Sequence, residues 1–352
     1  MACSFRYKVL AIAILTTAIV LQFSVWRLLR QVTPSGMGVH KRKTEVNLTC
    51  DRGFNLKGYS KENRNEDLII YTEVPKCAST TFMQILSNAC DSSKKYSTHY
   101  TKPLVIQNLL KVTDLSRRQK FVKTQVLPFT KKPYIFRGHL GFFDFNELGY
   151  KQPLFIDLVR DPVERWISLY YYQTSNSALR KRLKLSPDEI KQTLGYCLQF
   201  WIRQTNCEGR DVKETAACLN TRPFSGCKGA HIKPIYPEWF SGKYMDINTS
   251  MVSIERAKTN IEKYYTFIGI TEHFKETLVA METILPRFKN ELSVAYKQKK
   301  EKRENVGRNK VRPNNASIAV MKEVLADDYD LYKFILQRFY IHMTCLGVHV
   351  GQ

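Results

Sequence analysis

The feature that most constrains the fold is a strand-like segment that runs straight into a short polar loop and a helix-like pattern, and it occurs twice. In the first copy, residues 68–82 read LIIYTEVPKCASTTF. Leu68–Val74 is apolar and rich in β-branched residues, and an apolar pattern resumes after the loop. In the second copy, residues 154–160 (LFIDLVR) lead into Asp161 and Pro162, which are typical of a helix start.

The rest of the chain continues this alternation of strands and helices. Further β-like runs lie at Tyr134–Phe136 and Tyr265–Ile270, and Ser317–His342 has the apolar spacing of one amphipathic helix. Alternating elements predict an α/β fold with a mainly parallel sheet flanked by helices, here over residues 67–352. Ligands of such sheets bind beyond the carboxyl ends of strands, and helix N-termini favour anions. The two junctions are therefore expected to hold one ligand with two phosphate-like groups.

The N-terminal region has the character of a membrane anchor. Val9–Trp26 is an uncharged stretch of mostly apolar residues, long enough to span a bilayer. The following SVWRLLRQ contains no small-residue cleavage site, which favours an uncleaved signal anchor over a cleaved signal peptide. We therefore expect a cytoplasmic tail at 1–8, an anchor at 9–26 and a polar, basic stem at 27–66.

Glycosylation sequons and cysteines favour a lumenal body. Three sequons follow the anchor, at Asn47, Asn248 and Asn315, together with eight of the nine cysteines. Two local disulfides, Cys197–Cys207 and Cys218–Cys227, are the preferred pairing, and the crossed pairings stay open. The chain contains no CxxC pair, so no metal site is expected.

The charge of the chain points to a polyanionic partner. The formal net charge is +23, and residues 297–312 alone contain eight basic residues. A lumenal protein would not meet nucleic acid, so sulfated or carboxylated glycans are the expected partner, although a basic run can also be merely a solvated surface. The loop PKCASTTF lacks the two glycines of the G-x-x-x-x-G-K-[ST] pattern, which argues against a P-loop kinase.

Both junctions resemble the motifs of a known enzyme family. VPKCASTTF is similar to the 5′-phosphosulfate loop, and VRDPVERWISLYYY to the 3′-phosphate motif, of Golgi sulfotransferases that use 3′-phosphoadenosine 5′-phosphosulfate (PAPS). YIFRGHLGFFDF, FIGITEHF, ILPRF and the terminal helix follow in the order of the uronosyl 2-O-sulfotransferases of heparan and chondroitin/dermatan sulfate. The resemblance covers roughly residues 67–342. It implies a single-pass type II Golgi membrane enzyme with a lumenal catalytic domain.

The resemblance also implies roles for individual residues. Lys76 would contact the 5′-phosphate and the bridging oxygen, and Arg160 and Ser168 would bind the 3′-phosphate. The loop that cradles the phosphosulfate would comprise Cys77 (through its backbone), Ala78, Ser79, Thr80 and Thr81. A basic segment closing over the nucleotide would contribute Tyr296, Gly307 and Lys310, where Gly307 replaces the hydroxyl residue expected from the heparan enzyme.

On the acceptor side, the resemblance identifies His139 as the general base. The heparan enzyme has a second histidine two residues upstream, where this chain has Arg137, so heparan and chondroitin/dermatan acceptors both remain open. The basic cluster expected to bind the polymer comprises Arg180, Lys181, Arg182 and Lys184. The family transfers the sulfuryl group to the 2-hydroxyl of a hexuronic acid without a divalent metal, and a homo-oligomer is left open. A non-catalytic glycosaminoglycan-binding protein is the remaining alternative.

Overall fold

The computed structural model describes residues 64–93, 96–100, 115–222, 227, 233–242, 250–299 and 310–351. All of them belong to one compact unit, Arg52–Gln352. Within these ranges no helix is both long enough and apolar enough to cross a bilayer. The predicted anchor at 9–26 and the sequons at Asn47 and Asn248 lie outside the described residues. Asn315 is described, and it is exposed at the first position of a helix.

The core of the fold is a five-stranded sheet in which every pair of neighbouring strands is parallel. The strands are β1 (Arg64–Tyr71), β2 (Ser97–Tyr100), β3 (Tyr134–Arg137), β4 (Gln152–Val159) and β5 (Tyr265–Ile270). Their order is β2-β3-β1-β4-β5, so β1 lies between β3 and β4. The predicted α/β fold with a parallel sheet is confirmed, and β2 is the strand that the sequence pattern missed.

Thirteen α-helices are described around this sheet. They are α1 (Ser79–Ser93), α2 (Leu115–Phe121), α3 (Pro162–Ser175), α4 (Ser177–Leu183), α5 (Pro187–Lys191), α6 (Leu194–Gln204), α7 (Val212–Asn220), α8 (Tyr236–Ser241), α9 (Ser250–Tyr264), α10 (Phe274–Ile284), α11 (Leu292–Lys299), α12 (Asn315–Val324) and α13 (Ala326–Leu346). The two helices that begin right after β1 and β4 are α1 and α3, as the two junctions predicted.

The prediction of one terminal helix over Ser317–His342 is wrong, because the chain forms α12 and α13 with a break at Leu325. The two helices serve different cores. Buried residues of α12, such as Met321, belong to a cluster with α3, α6 and α7, whereas Ile335 of α13 belongs to the core around the sheet. The apolar spacing continues through the break, so it could not reveal the change of direction.

The preferred disulfide pairing is also wrong. The structure joins Cys197 to Cys227 and Cys207 to Cys218, with Cα–Cα distances of 5.4 and 5.8 Å. Cys197 lies within α6, and the rest of this helix, which rises about 1.5 Å per residue, carries the chain away from it before Cys207, so the two cysteines are not placed to be joined. Proximity along the chain therefore gave the wrong partners, while the four cysteines themselves are bonded as expected.

Candidate active site

The loop between β1 and α1 has an unusual backbone. Glu73, Lys76 and Ala78 have φ angles of 59°, 68° and 59°, in the left-handed region that non-glycine residues rarely adopt. Such conformations persist only where the surroundings hold them, and they are concentrated at functional sites. Left-handed residues within a tight loop turn successive N–H groups toward a common point, which produces a concave anion-binding surface. The loop is thus shaped to receive an anionic group.

A buried carboxylate on β4 supports this loop. Asp157 accepts hydrogen bonds from the backbone N–H of Val74, at 3.3 Å, and of Leu158, at 2.7 Å, and from the hydroxyl of Thr72. Burial raises the pKa of the Asp157 carboxyl to about 7, against the effect of these hydrogen bonds. Thr72 also lies 3.2 Å from the hydroxyl of Tyr265 on β5. Three neighbouring strands therefore hold the start of the loop.

A tyrosine connects the two junctions. The hydroxyl of Tyr236 on α8 accepts a hydrogen bond from the backbone N–H of Arg160 at 3.1 Å and donates one to the Arg160 carbonyl. The same hydroxyl lies 3.7 Å from the Cys77 sulfur. Burial raises the pKa of the Cys77 thiol to about 12, so the thiol stays neutral and packs inside the loop. Tyr236 therefore holds the loop after β1 and the end of β4 together.

Three cations from distant parts of the chain come together at this edge of the sheet. Burial, together with the positive charges of Lys310 and Arg160, lowers the pKa of Lys76 to about 8. Burial and Arg160 also lower the pKa of Lys310. An anion placed beside a cation whose pKa is lowered by neighbouring positive charge relieves that repulsion, so this cluster is suited to a polyanionic ligand. Lys76, Arg160 and Lys310 are residues that the resemblance to the sulfotransferases assigned to one nucleotide site.

One face of α3 lines the same site. Arg160 precedes the helix and forms an ion pair with Glu164 at 3.7 Å. Glu164, Ser168 and Tyr172 follow one another at steps of four residues, so their side chains lie on one face of α3. The ammonium group of Lys76 lies 3.7 Å from the ring centroid of Tyr172. Ser168 therefore lies on this face of α3 between Arg160, which precedes the helix, and Tyr172, which contacts Lys76. Its side chain is buried.

His139 reaches the site on an extension of β3. The backbone N–H groups of Gly138 and Leu140 donate to the carbonyls of Tyr71 and Thr72, so this segment continues alongside the end of β1. The Nδ1 atom of His139 lies 2.7 Å from the carbonyl oxygen of Glu73. A carbonyl only accepts, so Nδ1 carries a proton, and in the neutral form of the ring the lone pair is then on Nε2. Among the described residues, Nε2 has no hydrogen-bond partner, which suits a proton acceptor.

The remaining predicted residues lie in different surroundings. Ser79, Thr80 and Thr81 form the first turn of α1, directly after the loop. Tyr296 is partly buried on α11, with its ring 5.5 Å from that of Phe274. Gly307 lies outside the described residues. The basic cluster comprises Arg180, Lys181 and Arg182 in the last turn of α4 and Lys184 at its C-cap, where positive charge also stabilises the helix dipole.

Three site residues escaped the sequence interpretation. Asp157 and Tyr236 act through contacts with segments that are distant in sequence, and no local motif marks them. Tyr172 did have a signal, because it lies four residues after Ser168 on a helix that the sequence had already predicted.

Comparison with known proteins gives one consistent result. The profile described as "Sulfotransferase family" matches residues 64–342. Heparan sulfate 2-O-sulfotransferase 1 of Xenopus laevis is 27% identical over 77% of this chain and 70% of its own length, and that of Homo sapiens is 26% identical over 79% and 72%. Uronyl 2-sulfotransferase of Mus musculus is 23% identical over 80% of this chain and 64% of its own length. Because the sulfotransferase profile covers well over half of the sequence, the chain belongs to the sulfotransferase family.

Proposed function

We propose that this enzyme transfers the sulfuryl group of PAPS to the 2-hydroxyl of a hexuronic acid in a glycosaminoglycan, with heparan sulfate as the acceptor. The observation that carries the proposal is the convergence of Lys76, Arg160 and Lys310 around α3. Arg160 directly precedes this helix, Lys76 contacts its Tyr172, and the hydroxyl of its Tyr171 donates to the carbonyl of Val311, next to Lys310. PAPS has a 5′-phosphosulfate and a separate 3′-phosphate, which matches two junctions with cationic and hydroxyl residues. The names of the relatives support the acceptor.

The residues of this site suit in-line transfer of an anionic group. His139 is oriented by its Nδ1–H hydrogen bond to Glu73, and its Nε2 accepts the proton of the attacking hydroxyl. Lys76 neutralises the charge that develops on the departing phosphate. Arg160 and Ser168 hold the 3′-phosphate, and the left-handed loop offers its N–H groups to the 5′ side. PAPS supplies the sulfuryl group.

The cellular setting is part of the proposal. The uncharged stretch Val9–Trp26 would anchor the protein as a single-pass type II Golgi membrane protein. The stem would run from residue 27 to the start of β1 at Arg64, three residues earlier than the sequence pattern predicted. The two disulfides and the exposed sequon residue Asn315 support a lumenal catalytic domain. The basic cluster on α4 is proposed to contact the polymer.

A second acceptor class is favoured by one observation. Arg137 stands where the heparan enzyme is expected to have its second histidine, and a uronyl 2-sulfotransferase is also among the relatives. Chondroitin or dermatan sulfate is therefore the alternative acceptor. The chemistry at the hexuronic acid would be the same.

Product analysis tests the proposal. Purified full-length protein, incubated with labelled PAPS and separately with heparan, chondroitin and dermatan sulfates, should label the 2-position of hexuronic acid in heparan sulfate disaccharides. Label found only in chondroitin or dermatan products would mean that one of these polymers, and not heparan sulfate, is the acceptor. Polymer binding without label in any product would instead indicate a non-catalytic glycosaminoglycan-binding protein.

The lowered pKa of Lys76 predicts how nucleotide affinity depends on pH. Below a pH of about 8 the free site has a charged Lys76, and above it the amine is increasingly neutral and attracts phosphate less. The affinity for adenosine 3′,5′-bisphosphate should therefore fall as pH rises through about 8, by at most about tenfold per pH unit. Calorimetric titration of the protein across this range measures the slope.

Lys76→Arg is the matched control for that slope, because a guanidinium stays charged throughout the range. Whatever its affinity at neutral pH, this variant should show a flatter profile than the unmodified protein. Identical slopes in the two proteins would remove Lys76 from the anion site.

A further inference from the structure

Arg137 lies at the point where three strands end. It is the last residue of β3, and its backbone is in register with Tyr71 at the end of β1 and with Tyr100 at the end of β2. His139 follows two residues later. Arg137 therefore lies next to the proposed base, on the side of the sheet away from β4 and the 3′-phosphate junction.

The guanidinium of Arg137 is held in a fixed orientation. Its Nη1 donates to the Oε1 atom of Glu73 at 3.1 Å, and its central carbon lies 4.4 Å from the ring centroid of Tyr100. The Glu73 side chain is 6% exposed, whereas that of Arg137 is 26% exposed. The buried carboxylate thus anchors a guanidinium that remains partly exposed. Among the described residues this is the only hydrogen bond of the side chain, although a guanidinium has five N–H donors.

Glu73 also ties Arg137 to the proposed base. Its side chain accepts from Arg137, while its backbone carbonyl accepts from the Nδ1–H of His139. Glu73 has the left-handed φ of 59° that permits this arrangement. One residue therefore fixes the relative positions of a proton acceptor and a partly open guanidinium. Such a pair can hold one sugar by two different groups.

We propose that Arg137 binds the carboxylate of the same hexuronic acid whose hydroxyl transfers its proton to His139. This inference rests on the proposed function and assigns the group that distinguishes a hexuronic acid from a neutral hexose. A guanidinium presents N–H donors in a planar fork that matches a carboxylate, which a lysine ammonium does not. Glu73 and Tyr100 act as positioning residues for Arg137.

The test compares two acceptors with two forms of the enzyme. Heparan sulfate and a carboxyl-reduced preparation, in which hexuronic acids are converted to neutral hexoses, are each assayed with the unmodified protein and with Arg137→Ala. On the intact polymer the variant should lose roughly 10- to 100-fold in kcat/KM, mainly through KM, as expected for a hydrogen bond to a charged group. On the reduced polymer the two proteins should differ little.

Controls separate this effect from structural damage. Arg137→Lys keeps a positive partner for Glu73 and should recover only part of the kcat/KM that Arg137→Ala loses on the intact polymer. If Arg137→Ala does not fold, the same comparison of the two polymers is made with Arg137→Lys. Arg210→Ala, at an exposed arginine outside the site, should behave like the unmodified protein. Affinity for adenosine 3′,5′-bisphosphate should be unchanged in all variants.

Two outcomes would overturn this inference but leave the proposed function unchanged. One is an equal loss on intact and reduced polymers, which would mean that Arg137 acts through His139 or the fold. The other is an unmodified protein that uses both polymers equally well. An unmodified protein that transfers to neither polymer would overturn heparan sulfate as the acceptor, and with it the assignment of Arg137 to a hexuronic acid of heparan sulfate.

Discussion

Replacing His139 with alanine is expected to lower the rate of sulfuryl transfer by about 10²–10⁴-fold, the range for loss of a positioned acid–base group. The reason is geometric, because the Glu73 carbonyl holds the proton on Nδ1 and leaves Nε2 as the acceptor. Affinity for adenosine 3′,5′-bisphosphate should hardly change, since the phosphates are assigned to Lys76, Arg160 and Lys310. Turnover, nucleotide affinity and melting temperature are measured on the same purified variant.

Two further variants distinguish a base from a structural histidine. His139→Asn can place a side-chain N–H where Nδ1–H was, so it can keep the hydrogen bond to Glu73 but provides no basic nitrogen. If His139 is the base, this variant is as slow as His139→Ala. Recovery of turnover in His139→Asn, or a loss that follows melting temperature in both variants, would assign a structural role. His349→Ala, at an exposed histidine, is the matched control.

The local parts of the site could be predicted, but their adjacency could not. The patterns around Lys76 and Arg160 each contain a strand end, a polar loop and a helix start within a few residues, and the structure has both junctions. That the two lie side by side depends on β4 pairing directly with β1. Strand order depends on long-range packing, which no local pattern specifies. The same limit hid Tyr236, which lies 76 residues after Arg160.

The wrong disulfide pairing and the missed helix break have different physical explanations. The apolar spacing of Leu194–Gln204 is that of an amphipathic helix, and recognising it would have separated Cys197 from Cys207. The break at Leu325 left no mark, because Leu325 is itself buried and apolar, as a continuous helix would require. A pattern of apolar residues thus reports burial more reliably than it reports which core a segment joins.

Replacing Asp328 with alanine is expected to cost about 3–5 kcal/mol of unfolding free energy, the usual range for removing one partner of a buried ion pair. Asp328 and Arg165 are 0% and 1% exposed, and their charged groups lie 3.7 Å apart. Asp328 also accepts hydrogen bonds from the backbone N–H groups of Ile235 and Tyr236, each at 2.7 Å. The variant would leave a buried guanidinium without its counterion and two N–H groups without an acceptor. Denaturant unfolding at neutral pH measures the change.

The position of Tyr236 makes this loss of stability a functional prediction as well. Asp328 fixes the start of α8, and Tyr236 then joins the backbone of Arg160 to the loop of Cys77. Nucleotide affinity should therefore fall along with stability in Asp328→Ala. Asp330→Ala is the control on the same helix, because its ion pair with Lys258 is exposed and such pairs contribute about 0–1 kcal/mol. If Asp328→Ala were no less stable than Asp330→Ala, the buried ion pair of Asp328 and Arg165 would not support the site. If Asp328→Ala lost stability but kept full nucleotide affinity, Tyr236 would hold its position without Asp328.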